Sequence, residues 1–181
     1  MSLRLPLLAS LFLVSACVKA PEPPASGGSA APTGPPQLLF TAPPDWEQKP
    51  QSMAIFLGEY DIPDGGIANV SWMPQQGSPE QIAANVDRWL GQWEVPGSTP
   101  QQAYEFTSAK GFYAEQRIVL KGTLAQTRQV GGGEPREDWM LVGVVLSTPR
   151  GPVYVKVLGS QASLEPELDT LFELIGTMRV Q

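Results

Sequence analysis

The sequence predicts an α+β domain: an antiparallel sheet of about six to seven strands packed with two amphipathic helices. Three observations predict it. Runs rich in β-branched and aromatic residues recur along the second half of the chain. Only two stretches carry apolar residues at helical spacing, and Pro/Gly turn signals join successive runs at hairpin distances. Strands joined that closely pair antiparallel, and helices among them pack onto the sheet.

Taken in order, Leu38 to Thr41 reads as a short strand, followed by Pro43-Pro44-Asp45-Trp46. Met53 to Ile62 and Ile67 to Met73 are β-rich runs that turn at Pro63-Asp64-Gly65-Gly66. Ser78-Pro79-Glu80-Gln81 supplies a capping hydroxyl, a proline at the first helical position and Gln at the third. Ile82, Val86, Trp89, Leu90 and Trp93 then fall on one helical stripe, ended by Pro96-Gly97. Ala103 to Ala109, Phe112 to Lys121 and Thr123 to Val130 read as strands, the first pair turning at Lys110-Gly111. After the loop Gly131 to Pro135 come the most hydrophobic runs, Trp139 to Ser147 and Val153 to Leu158, hinged at residues 148–152 as a central hairpin. Leu164, Leu168, Leu171, Phe172 and Ile175 mark a closing helix with Ser163 as its cap.

Ahead of this domain the chain has a different character. One basic residue, Arg4, precedes an apolar run from Leu5 to Val14, and Val14-Ser15-Ala16-Cys17 follows. That is an export signal ending in a lipobox, so residues 1–16 are expected to be cleaved and Cys17 lipidated. The apolar run is far short of the roughly 20 residues of a spanning helix. Two or three acyl chains on Cys17 hold a protein firmly to a membrane where one does not. Residue 18 is Val rather than Asp, which favours the outer membrane in a Gram-negative envelope. Residues 18–37, VKAPEPPASGGSAAPTGPPQ, have no apolar periodicity and are expected to be a disordered spacer. About twenty such residues reach roughly 25 Å. A single domain over residues 38–181 is long enough to build one ordinary core.

Composition excludes several chemistries. Without Arg4, the one charge in the first sixteen residues, twelve basic residues become eleven against eighteen acidic, a net charge of −7. Nucleic acid, which demands clustered Lys and Arg, is not the expected partner. The chain has no histidine and a single cysteine. A histidine base, a serine triad and Cys/His zinc sites are thereby excluded, as is a thiol nucleophile once Cys17 is lipidated. No cofactor and no metal are expected. The glycine triplet Gly131 to Gly133 is followed by neither a Lys-Ser/Thr pair nor a helix start, so it is no phosphate loop. Glu59, Asp61 and Asp64, and again Glu134, Glu137 and Asp138, cluster near loops without the spacing of a calcium motif.

The candidate ligand-contacting residues are aromatic: Trp46, Trp72 and Trp139. Trp46 follows Pro-Pro-Asp in a loop, where it either plugs a sheet edge or lines a pocket. Trp72 and Trp139 sit in strand runs and read as core or half-buried. Trp89 and Trp93 share the helix's apolar stripe and read as core. Asp87 and Arg88 lie toward the polar side of that helix. Lys156, between Tyr154 and Leu158, reads as an edge charge or a snorkelling side chain in preference to a ligand contact.

The order of elements, with Pro43-Pro44-Asp45-Trp46 early, Gly151-Pro152-Val153-Tyr154-Val155-Lys156 in the hairpin and Thr177-Met178-Arg179-Val180 at the end, resembles a known group. It is similar to the small α/β/α sandwich of photosystem II PsbP proteins and DcrB-type bacterial lipoproteins. Asn85-Val86-Asp87-Arg88-Trp89 with Gln92-Trp93, and residues 148–156, look like bacterial lipoproteins of this size. The resemblance spans about residues 38 to 180. It implies an accessory role without catalysis and carries over no catalytic residue; the lipobox aligns the chain with the bacterial lipoproteins rather than with a photosynthetic complex.

The expected function is therefore a lipid-anchored protein of the cell envelope, facing the periplasm, whose domain is a non-enzymatic binding or accessory module. Its expected partners are the membrane, through the anchor, and an envelope protein. The alternatives are an assembly factor for an envelope complex and a carboxylate-dependent glycan hydrolase.

Overall fold

The computed structural model describes residues 34–181; residues 1–33, which hold the expected signal segment, Cys17 and most of the expected spacer, lie outside the described residues. Strands β1 (Leu38–Leu39), β2 (Glu47–Gln48), β3 (Phe56–Ile62) and β4 (Gly66–Trp72) precede helix α1 (Pro79–Leu90). β5 (Trp93–Glu94), α2 (Pro100–Ala103), β6 (Glu105–Lys110) and β7 (Ala114–Leu124) follow. The long hairpin β8 (Arg136–Thr148) and β9 (Gly151–Ser160) leads into α3 (Gln161–Leu164), α4 (Leu168–Gly176) and β10 (Arg179–Val180). Eight strands form one antiparallel sheet in the order β2-β3-β4-β9-β8-β7-β5, with β6 also paired to β7; β1 and β10 form a separate two-stranded ribbon.

Because side chains alternate across a strand, the sheet has two buried faces. Val70, Val142, Val144, Val155 and Val157 join Leu164, Leu171, Phe172 and Ile175 on one face, beneath α3 and α4. Ile67, Leu141, Val145, Tyr154 and Leu158 join Val86, Trp89 and Leu90 of α1 on the other. β8 and β9 are covered on both faces, so they read as unbroken apolar runs rather than alternating ones. The domain is thus an α/β/α sandwich.

The helix start was legible. Ser78 Oγ accepts from the Gln81 amide and Gln81 Oε1 accepts from the Ser78 amide, a reciprocal capping box. The expected extent was not. α1 stops at Leu90 with Gly91 as its cap, and Trp93 enters a two-residue strand paired with Leu124. Trp93 still joins the core under α1. Periodicity missed the change because both conformations deliver the ring to the same core.

Other expectations also need correction. Thr123 to Val130 is not a strand: β7 ends at Leu124, and Thr127–Val130 is a 3-10 turn that buries Val130. The closing helix is two helices, since Pro166 has no amide proton to continue the ladder. Ser160, not Ser163, caps α3, accepting from the Ser163 amide at 3.1 Å. The sheet has eight strands rather than six to seven, the extra ones being the two-residue β2 and β5.

Candidate functional site

Lys156 does not sit at an edge. β9 is the fourth strand along the sheet, with β4 and β8 on its two sides, and Lys156 is only 7% exposed. Its neighbours in register are Asn69 on β4 and Gly143 on β8. Strand alternation turns it to the α1 face, because Val155 and Val157 face the other way.

The side chains around it come from four elements. β4 contributes Asn69 and Ser71, whose alternates Ala68, Val70 and Trp72 pack on the opposite face. α1 contributes Arg88 and Trp89, the segment beyond its cap contributes Gln92, and the 3-10 turn contributes Gln129. Together with the apolar Ile55, Phe56 and Met73 they line a recess of about 160 Å³. Lys156 Nζ donates to Gln92 Oε1 at 2.7 Å and to Gln129 Oε1 at 2.9 Å. Gln129 Nε2 donates to the same Gln92 oxygen at 2.8 Å, closing a triangle. The Trp89 ring lies 5.9 Å from Nζ. Gly143 makes room for that ring: a Cβ there would stand 2.6 Å from Trp89 Cζ3. Arg88 is held by Asn85, whose amide donates to Gln76 Oε1 at 2.6 Å.

The electrostatics of the recess are one-sided. Arg88 and Lys156 are its charged lining residues, and among the described residues neither forms an ion pair with a carboxylate. Burial, helped by the nearby Arg88 charge, pushes the Lys156 ammonium down from 10.5 to about 7. An ammonium so placed exists in both protonation states near neutrality.

The three candidate tryptophans do not converge. Trp46 packs against Phe40 and Tyr60, with ring centroids 6.3 and 5.7 Å away. It lines a separate groove of about 250 Å³ with Ile62, Leu171 and Leu174. Trp72 packs against the core beneath α3 and α4, donates its indole N–H to the Arg150 carbonyl at 2.8 Å and has the Arg150 guanidinium over its ring. Trp139 belongs to the core beneath α1, 7% exposed. Trp46 thus both packs at the sheet edge and lines a groove, whereas Trp72 and Trp139 line neither that groove nor the recess. Asp45 and Glu167 stand at the Trp46 groove, but both are exposed. A general acid of the glycosidase kind is instead held in an apolar environment.

The acidic cluster near the first hairpin turn is already engaged. Asp61 pairs with Lys49 at 2.9 Å, Glu59 accepts from Ser52, and Asp64 accepts from Ser163. Among the described residues no group of acidic side chains is arranged to hold a metal ion. Nor is any described helix long and apolar enough to cross a membrane.

Reading the sequence missed the recess as a unit. The signals were a lysine inside Val153 to Leu158 and the polar pair Asn69 and Ser71 within an otherwise apolar strand. Nothing in the linear order said that these strands are neighbours.

No family model matches this chain, and no curated protein sequence does either. Among solved structures it is similar to the solution structure of cyanobacterial PsbP (CyanoP) from Synechocystis sp. PCC 6803. That match has a TM-score of 0.50 at 9% identity and covers 88% of this chain and 100% of the other. The fold is PsbP-like. A crystal structure of the protein of unknown function PA94 from Pseudomonas aeruginosa is also similar, at TM-score 0.38 and 9% identity over 82% of this chain and 85% of that one. At such identity the CyanoP likeness concerns the PsbP-like architecture alone.

Proposed function

We propose that the protein is a lipid-anchored envelope lipoprotein whose PsbP-like domain is a non-enzymatic binding module, with the Lys156 recess as its ligand site. The observation that carries the binding role is a buried ammonium with no carboxylate partner among the described residues. Such a charge costs several kcal/mol to bury, and an apolar side chain of similar volume would hold the strand at least as well. Perturbed, unbalanced groups of this sort gather at functional sites. The other polar lining groups are amides, a hydroxyl and a guanidinium, which bind ligands rather than shuttle protons. The anchor rests on Val14-Ser15-Ala16-Cys17, on the apolar run before it and on the spacer after it.

Two measurements test the two halves of this reading. Radiolabelled palmitate is expected to label the full-length chain in cells and not Cys17→Ala; equal labelling removes the anchor. Reductive methylation of the full-length chain with formaldehyde and cyanoborohydride at pH 7 is expected to modify Lys156 before Lys49 and Lys121. An amine reacts in its neutral form, and those two are ion-paired to Asp61 and Glu165. A Lys156 left unmodified while exposed lysines react would mean a closed recess, and the site assignment would fall.

A further inference from the structure

The geometry assigns the Lys156 recess to a small oxyanion, a carboxylate or a tetrahedral sulfate- or phosphate-type group, held between Lys156 Nζ and the Arg88 guanidinium. The inference rests on the recess being the ligand site and names the chemical class of its occupant.

Charge argues first. The whole chain carries −6, yet this recess is lined by two cations and no carboxylate. In a partly desolvated cavity that imbalance attracts a counter-ion far more strongly than exposed surface charge does. Donor accounting argues second. An ammonium has three N–H groups, and two of them reach Gln92 and Gln129, leaving one for an acceptor. Asn69 lines the same space, and its side-chain amide has no hydrogen-bond partner among the described residues. Arg88 is exposed on α1, so it stands at the mouth while Lys156 lies deep. A ligand entering past Arg88 therefore meets charge first and a directional donor second.

Size argues third. About 160 Å³ suits one small polyatomic ion and excludes a folded partner segment. Paired donors of this type give charge-assisted hydrogen bonds roughly twice as strong as neutral ones. The titratable and charged groups facing Lys156 reduce to Arg88 on α1; β4, β8 and the 3-10 turn present Asn69, Ser71, Gly143 and Gln129. Binding should therefore weaken as pH rises through neutrality and Lys156 loses its proton.

The test is calorimetric titration of the full-length chain, in nonionic detergent micelles, with sulfate and separately with acetate, neither of which titrates near neutrality. Saturable binding of at least one is expected, accompanied by proton uptake at pH 7 that is revealed by buffers of different ionisation enthalpy. Affinity is expected to fall at least tenfold in Lys156→Met and several-fold in Arg88→Gln, with both variants checked for a wild-type circular dichroism spectrum. Should Lys156→Met fail to fold, the exposed Arg88→Gln still decides. A preference for sulfate indicates a tetrahedral ligand, and a preference for acetate a carboxylate. If Lys156 is open to formaldehyde yet neither anion binds, the oxyanion inference falls while the recess stands as a site for a neutral ligand. Binding that is equally tight in both variants overturns the inference as well.

Discussion

At the scale of single residues, Lys156 shows how one side chain changes meaning with its position in the sheet. In the sequence it is a charge among valines; in the fold it is a buried ammonium held by two glutamines and lowered to about 7. The consequence for stability has a definite sign. Between about pH 7 and the ordinary lysine value of 10.5, the unfolded chain binds a proton that the folded chain does not. Stability therefore rises with pH across that window and is lowest below it. Lys156→Met is expected to flatten this slope. It should also raise stability at pH 6 by roughly 2–4 kcal/mol, measured by urea unfolding of both chains at pH 6 and pH 9. A parallel pH dependence in the two chains would place the proton elsewhere. The cysteine differs from Lys156 in this respect. Cys17 took its reading from its immediate neighbours in sequence, because a lipobox is recognised as a linear string; Lys156 required neighbours from three other segments.

At the scale of elements, α1 is both the wall of the recess and the most legible helix. Its capping box is local chemistry and can be read from Ser78-Pro79-Glu80-Gln81. Its end cannot, because Trp93 reaches the same core as a strand residue that it would reach as a helical one. The recess depends on how closely α1 approaches β8, and Gly143 sets that approach through the Trp89 ring. Gly143→Ala is expected to cost about 1–3 kcal/mol by overpacking. It should also move Trp89 away from Lys156, read as a shift in tryptophan emission together with faster methylation of Lys156. An unchanged stability would show that α1 can lift without penalty. The hairpin of β8 and β9 was legible for a similar local reason. Gly151 takes a φ of +101° at the turn, where a Cβ would also meet Pro74 at 2.8 Å.

At the scale of the molecule, the sandwich buries β8 and β9 beneath helices on both faces, while β6 lies along the outer side of β7 with mostly exposed residues. Protection should follow this layering. Amide hydrogen exchange is expected to be slowest at Met140–Leu146 and Val153–Leu158 and fastest, among the strands of the large sheet, in Glu105–Lys110. Comparable protection in β6 would mean that something in solution covers that edge.

What the sequence determined by itself was local: the α+β class, the start of α1, the central hairpin, the string Val14-Ser15-Ala16-Cys17 and the exclusion of histidine chemistry. Each of these depends on residues within a few positions of one another, or on composition alone. The tertiary structure decided the rest. It separated Trp46, Trp72 and Trp139 onto different parts of the sheet and brought together Asn69, Arg88, Gln92, Gln129 and Lys156, which span 88 positions of chain. The reason is the strand order. Inserting β9 between β4 and β8 makes neighbours of residues whose side chains share a face only after the sheet has formed.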